Sequence, residues 1–279
     1  MIRVANTEDK SHLINLWQTV FGDSVSHIEA FFSSGICSFE HILVWQEGEE
    51  IAAAIYLLDA GETMLPNGKS LKTAYTYALA TDERFRGRGI GGALAKENVS
   101  RSFDLGYELH LIRPAEESLF AYYENLGICE KVFLEQGELL AEHLENKAPK
   151  AELTEIDLDA YLTIRASHLP KANTIYPDAY LRFALETDPP RLTRYRVQME
   201  ATIACAFVER TGDTFFVREV LPAGAAKTVV GALLERSGAK RAMYRTNATA
   251  STAKAFLLAA SKTPLGEDLS QVYYPFVLD

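Results

Sequence analysis

The chain has 279 residues, a formal net charge of −10, and 48% hydrophobic against 24% charged residues. That length suits two domains of about 140 residues, and the composition is that of a folded globular protein. The negative charge argues against nucleic acid or an anionic membrane as partner, and no apolar run reaches the roughly 20 residues that span a bilayer.

The opening "MIRVANTEDKSHL" lacks the basic patch and apolar core of a leader peptide. Cys37, Cys129 and Cys205 lie far apart with no CxxC pair, which speaks against a disulfide framework or a zinc knuckle and suits a reducing cytoplasm. No metal site is expected. Along the first half, "IRVAN" reads as a short strand, followed by a helix carrying Leu13, Leu16, Trp17 and Val20 on one face. A second amphipathic run covers Val25 to Phe32. "HILVWQEGEEIAAAIYLLDAG" reads as two strands joined at Gly48, and "KTAYTYALAT" as a third after a Pro-Asn-Gly turn. A helix over Gly91–Leu105 stops at Gly106. "YELHLI" reads as a strand, "AEESLFAYYENLG" as a helix, and "CEKVFLEQGELLAE" as a closing hairpin.

The polar stretch His143–Leu153, with Pro149, reads as a linker. The expected domains are therefore 1–146 and 147–279. The second half repeats the order in outline: helices near Ile156–Ala166 and Asp178–Leu185, strands "RVQMEATIACAFVER" and "TFFVREVL", a helix "AAKTVVGALLERSG", a strand "RAMYRT", a helix near Ser251–Ala260 and a closing strand "VYYPFVL". Element order alone predicts two copies of one α/β architecture.

Between the third strand and the Gly91 helix lies "RGRGIGG", four glycines within six residues. Read as Gly87-x-Gly89-x-x-Gly92 it satisfies the dinucleotide fingerprint, with Glu108 near the ribose-binding offset. The context is wrong for that reading. Five residues, Asp82 to Arg86, separate the strand from the first glycine, a hairpin precedes the site, and Glu108 opens its strand rather than ending it. Read from Arg86, the same run is R-x-x-G-x-G. Successive N–H groups at a helix start can converge on one pyrophosphate, the helix dipole adds a favourable field, and glycines keep Cβ atoms away. Arg86 and Arg88 add positive charge beside the anion.

Together with Tyr123-Glu124-Asn125-Leu126-Gly127 on the following helix, this loop resembles the acyl-CoA loop of the GCN5-related N-acetyltransferase (GNAT) family. The match is strong over about Leu71–Ile128 and extends through the first half by element order. The resemblance implies a mixed, mostly antiparallel sheet with helices on both faces, in two tandem copies. It also implies acetyl-CoA as co-substrate, its diphosphate on Arg86, Gly87, Arg88, Gly89, Ile90, Gly91 and Gly92. Leu79, Ala80 and Thr81 would offer backbone groups to the pantetheine arm. The chemistry implied is direct attack by a primary amine of a small molecule or peptide, with Tyr123 as general acid. By spacing alone Tyr123 is one more aromatic in the stripe Leu119, Phe120, Tyr123. The family's usual pantetheine-binding asparagine is absent, with Arg113 and Glu116 at the comparable places.

No general base stands out. His110 on its strand reads as structural, Tyr75 and Tyr77 share one strand face, and the terminal Asp279 is a conceivable carboxylate. Trp17, Phe21, Phe31 and Phe32 are candidate walls of an acceptor pocket. The second half carries only "PAGAAK" at the comparable turn, so it reads as a degenerate copy without a cofactor loop. The competing function is a non-catalytic acyl-CoA-binding regulatory module, and an NAD-dependent oxidoreductase stands third.

Overall fold

A Gly48 turn and a run of β-branched and aromatic residues set the first hairpin, and the remaining strands are added to it on both sides. A computed structural model describes residues 1–144, 151–186, 192–247, 254–266, 269–276 and 278. In chain order the first half contains β1 (Ile2–Val4), α1 (Lys10–Phe21), α2 (Val25–Ser33), β2 (Ile42–Glu47) and β3 (Glu50–Met64). It continues with β4 (Ser70–Thr81), α3 (Ile90–Asp104), β5 (Leu109–Ile112), α4 (Ser118–Glu124) and β6 (Glu130–Leu140). The second half has β7 (Glu152–Glu155), α5 (Leu158–His168), β8 (Thr174–Ile175), α6 (Asp178–Glu186) and β9 (Leu192–Gln198). Then come β10 (Ile203–Thr211), β11 (Thr214–Leu221), α7 (Ala226–Ser237), β12 (Arg241–Asn247) and β13 (Lys254–Ser261).

The strands form one sheet in the order β1-β2-β3-β4-β5-β13-β6-β12-β11-β10-β9-β7, with β8 paired to β3. Within it β4–α3–β5 and β11–α7–β12 are the same parallel crossover, each fed by an antiparallel hairpin. The repeat of architecture is therefore real, and the sheet is mixed and mostly antiparallel. The halves interlock. β13, from the second half, lies between β5 and β6 of the first, antiparallel to both. One core cluster runs from Leu13, Trp17 and Phe31 through Leu109 to Phe207, Phe256 and Tyr274. No helix among the described residues is long and apolar enough to cross a membrane.

Four sequence expectations need correction. The helix expected near Ser251–Ala260 is strand β13 over its described part. Its apolar run Phe256–Ala260 is buried on both faces, and enclosure overrides the helical propensity of Leu and Ala. The closing hairpin expected at "CEKVFLEQGELLAE" is a single strand, β6. Gly137 marks no turn there: a Cβ on it would meet the Tyr244 ring at 2.2 Å, so the glycine admits a close aromatic neighbour. "RVQMEATIACAFVER" is two strands, β9 and β10, closed by Met199 N–H to the Thr202 carbonyl at 2.9 Å, a turn with neither Gly nor Pro to announce it.

The fourth is "VYYPFVL". Over its described residues, apart from one bridge from Tyr273 to Asn173, it is irregular, since Pro275 has no N–H for a ladder. Tyrosine hydroxyls anchor it instead. Tyr273 donates to Glu219 at 3.0 Å and Tyr274 bonds Thr63 at 3.1 Å, while Tyr180 and Tyr75 donate to the carbonyls of Phe276 (3.1 Å) and Leu278 (2.9 Å). Glu219, fully buried on β11, also accepts from Arg165 Nε at 3.0 Å and from the Tyr161 hydroxyl. Burying this ion pair is compensated by its several hydrogen bonds, and the pair fixes α5, β11 and the tail in one arrangement.

Candidate active site

The site begins where two parallel strands part. β4 pairs with β5 only from Thr73–Thr76 against Leu109–Ile112, after which β5 ends and β4 continues to Thr81. On its other side β4 slips against β3: Tyr77 stands opposite Tyr56 and Ala80 opposite Ala54. Ala78 and Leu79 therefore share the single partner Ile55, a bulge that bends the strand away from β5. Ala78 takes φ +49°, a left-handed conformation that costs an alanine roughly 1–2 kcal/mol. Beyond Thr76 the edge of β4 facing away from β3 has no neighbouring strand among the described residues. Leu79 is half-buried there, Ala80 is buried, and the Thr81 carbonyl accepts Arg86 Nε at 3.1 Å.

Next comes the glycine loop. Gly87 and Gly89 both have φ +75°, and a Cβ built on either meets no protein atom within 4 Å. The positive φ demands glycine, and the space in front is open. Gly89 caps α3 without any side-chain hydrogen bond. The first N–H groups of that helix, Ile90 through Gly92, thus have no intrahelical partner and point outward with the positive end of the dipole. Such a corner can take an anion. Gly92 serves packing instead, because a Cβ there would come within 2.8 Å of the Tyr122 hydroxyl. Arg86 lies against the loop's own backbone, and Arg88 pairs with Glu47 at 2.8 Å across an exposed gap. That hydrogen bond, with one from Trp45, holds the Glu47 carboxyl below its ordinary value.

Beside the fork lies a cavity of about 730 Å³. Its first-half wall includes Trp17, Phe21, Tyr75, Thr76, Tyr77, Leu79 and Tyr123. Phe31 and Phe32, weighed with Trp17 and Phe21 in the sequence, do not line it. Phe31 is buried behind Trp17 at 4.9 Å, and Phe32 stacks on Phe39 at 5.6 Å. Tyr123 is buried and its hydroxyl has no hydrogen-bond partner among the described residues. Burial, reinforced by neighbouring Tyr122, pushes its phenol up to about 12. Tyr122 is exposed and turned toward Gly92.

The opposite wall comes from the second half and was invisible in the sequence: Phe183 on α6, Phe207 and Glu209 on β10, Arg218 on β11, and the tail residues Phe276 and Leu278. Arg218 is the extra residue of a second bulge, since Val217 and Glu219 face the adjacent pair Val208 and Phe207. The two halves thus present corresponding bulges to one cavity. Asp23 and His27 also line it and were not singled out by sequence reasoning. Arg113, at the end of β5, lies over the Phe256 ring at 4.4 Å. Asp279 lies outside the described residues. No group of three or more His, Cys, Asp or Glu among the described residues is placed to hold a metal ion.

His110 has no access to solvent, and its bonds run in one direction. Ser102 donates to the Val99 carbonyl at 2.7 Å, so its oxygen accepts His110 Nδ1–H at 2.9 Å. Nε2 then accepts from the Thr76 hydroxyl at 2.7 Å, which itself accepts from Asn98 at 2.9 Å. This relay bolts α3 to both strands of the fork. Burial lowers the His110 pKa from 6.5 to about 3. Between those values the unfolded chain binds a proton that the folded chain does not, so stability falls as pH falls. Going from pH 7 to pH 5 should cost about 2 kcal/mol through this one group. Urea unfolding at the two pH values checks it: the difference should shrink by that amount in His110→Gln, and an unchanged slope would contradict the assignment.

Residues 1–131 match the acetyltransferase (GNAT) domain family. No curated protein matches the chain. Among solved structures, a conserved Enterococcus faecalis protein of unknown function superposes with a TM-score of 0.69 at 14% identity, over 94% of this chain and 72% of that one. A GCN5-related N-acetyltransferase from Kribbella flavida gives 0.68 at 12% identity, over 93% and 70%. Another from Anabaena variabilis gives 0.68 at 13%, over 93% and 72%. At such identities the likeness is one of fold, and it spans both halves.

Proposed function

We propose, from the match of residues 1–131 to the acetyltransferase (GNAT) domain family, that the chain transfers an acetyl group from acetyl-CoA to a primary amine of a small molecule or peptide. The observation that carries this reading is a conjunction. An uncapped helix N-terminus behind Gly87 and Gly89 adjoins a strand edge at Leu79–Thr81 with no neighbouring strand among the described residues, and both open beside a cavity lined by Tyr123. Cβ-free space before convergent N–H groups fits a diphosphate, and the bare edge of β4 fits a chain of amides.

Bound there, acetyl-CoA supplies an activated acyl group as a thioester. Ile90, Gly91 and Gly92 hold its phosphates by backbone N–H, Arg86 adds charge, and Leu79 to Thr81 align the arm. The amine nitrogen forms a C–N bond to the acyl carbon, the C–S bond breaks with its electron pair on sulfur, and the nitrogen releases one proton to solvent. Tyr123 gives its phenolic proton to the sulfur and regains one from solvent, which balances the proton the nitrogen released. A phenol raised to about 12 keeps that proton throughout the neutral range. In this reading 1–146 carries the acetyl-CoA side, and 147–279 is a degenerate copy that closes the acceptor side. Its comparable turn, Pro222 to Ala225, has a single glycine, Gly224, and that glycine has no positive φ.

Isothermal titration with acetyl-CoA, followed by thiol release across a panel of amines, tests the reading. Saturable binding with amine-dependent thiol release is expected. No binding at millimolar concentration removes the proposal, and binding without release from any amine returns the chain to the class of acyl-CoA-binding modules.

A further inference from the structure

The cavity wall at the α1–α2 turn has a chemistry of its own. Asp23 sits in the three-residue turn between α1 and α2, fixed on one side by Gly22 in the left-handed cap of α1 and on the other by Ser24, which caps α2. Its Oδ2 accepts the Trp17 indole N–H at 2.8 Å. Trp17 is itself immobilised, 1% exposed and packed at 5.0 Å on Tyr56 and 5.3 Å on Tyr77. Asp23 is therefore a carboxylate aimed by a rigid ring.

Its charge is uncompensated. The other carboxylate among the described lining residues, Glu209, is held by Arg218 at 2.7 and 3.0 Å. Asp23 has no cationic partner among the described residues, and Oδ1 has no hydrogen-bond donor there. Satisfying an indole N–H needs only a neutral acceptor. A full negative charge, half-buried among Trp17, Phe21 and Tyr77, calls for a cation, and aromatic faces favour one as well.

We infer that the acceptor is a small-molecule diamine built on a ring or other apolar body, one nitrogen seated as an ammonium on Asp23 and the other presented at the β4–β5 fork. The two-nitrogen requirement is chemical. An ammonium paired with a carboxylate is stabilised in its protonated form, so that nitrogen has no lone pair for attack, and a second amino group must provide the nucleophile. A cavity of about 730 Å³ falls in the range of sites that enclose drug-sized ligands. Its aromatic wall between Asp23 and Leu79 suits an apolar spacer. The inference rests on the acyl-transfer reading for the second nitrogen, and on Asp23 alone for the first.

The test compares para-xylylenediamine with para-methylbenzylamine, the same ring lacking one amino group, in the full chain and in Asp23→Asn, which keeps an oxygen for the Trp17 indole. A charged hydrogen bond of this kind contributes tenfold or more in affinity, so KM for the diamine should rise at least about tenfold in Asp23→Asn at unchanged kcat. For the monoamine kcat/KM should not move, because any unproductive seating of its one ammonium on Asp23 lowers kcat and KM by the same factor. Equal constants for the two proteins with the diamine would overturn the inference. So would a kcat loss shared by both amines with a displaced pH profile, which would make Asp23 a proton acceptor. Titrating the diamine into each protein without acetyl-CoA gives a readout independent of turnover. If acetyl-CoA fails to bind, the transfer reading falls, while the diamine titration still decides the role of Asp23.

Discussion

Gly89→Val should abolish measurable acetyl-CoA binding while leaving a folded protein. At φ +75° the backbone of Gly89 lies where a β-branched residue is an outlier, so the cap of α3 will shift or strain. The strain of a single left-handed residue costs about 1–3 kcal/mol, a few degrees of melting temperature for a chain of this size. The new side chain finds no protein atom within 4 Å of its Cβ, so the core has nothing to resist. What the valine does fill is the space before the Ile90–Gly92 N–H groups. An anion kept from two or three charge-assisted hydrogen bonds of about 1.5–3 kcal/mol each loses two or more orders of magnitude in affinity. Titration calorimetry with CoA, beside a thermal melt, checks both halves. A variant that melts normally and binds CoA as tightly as the parent would place the phosphates elsewhere.

The Gly89 corner was legible because every signal for it is local. A strand, a positive-φ glycine pair and a helix start occupy consecutive residues, and each has its own residue preference. The Gly48 hairpin, α1, α2, α5, α6 and α7 were legible for the same reason. The acceptor wall was not, because it is assembled from α1, α6, β10, β11 and the tail, which no periodicity connects. Trp17 could be guessed as a lining residue by its size. Asp23 could not, since Gly-Asp-Ser between helices reads as ordinary turn chemistry, and its meaning comes from the indole it faces. β13 fails for another reason. A five-residue apolar run is compatible with helix or strand until its neighbours are known, and here both neighbours, β5 and β6, lie more than 110 positions upstream. The tail defeats pattern reading in the reverse sense. Its Tyr-Tyr-Pro-Phe looks like a strand because tyrosines favour sheets, yet these tyrosines act through their hydroxyls on Glu219 and Thr63.

Tyr123→Phe should lower kcat by about 10²–10³-fold, within the range for loss of a general acid, with the dissociation constant of acetyl-CoA unchanged. The change removes one oxygen and leaves the ring packed with Ile90, Leu94, Ile128 and Leu258 in its cluster. No protein hydrogen bond is lost among the described residues, so the stability of the fold has little reason to move. The pH dependence separates this role from packing. Burial raises the phenol from 10 to about 12. Above pH 10 the unfolded chain gives up this proton while the folded chain keeps it, so the group's contribution to stability falls from pH 10 upward. Up to that point the acid remains loaded. The parent should therefore show no alkaline loss of kcat from this group below about pH 11, whereas the residual rate of the phenylalanine variant should depend on the basicity of the leaving thiolate. Acyl-CoA analogues with better leaving groups should accordingly narrow the gap between parent and variant. An equal loss in kcat and in acetyl-CoA affinity, insensitive to the leaving group, would assign Tyr123 to packing alone.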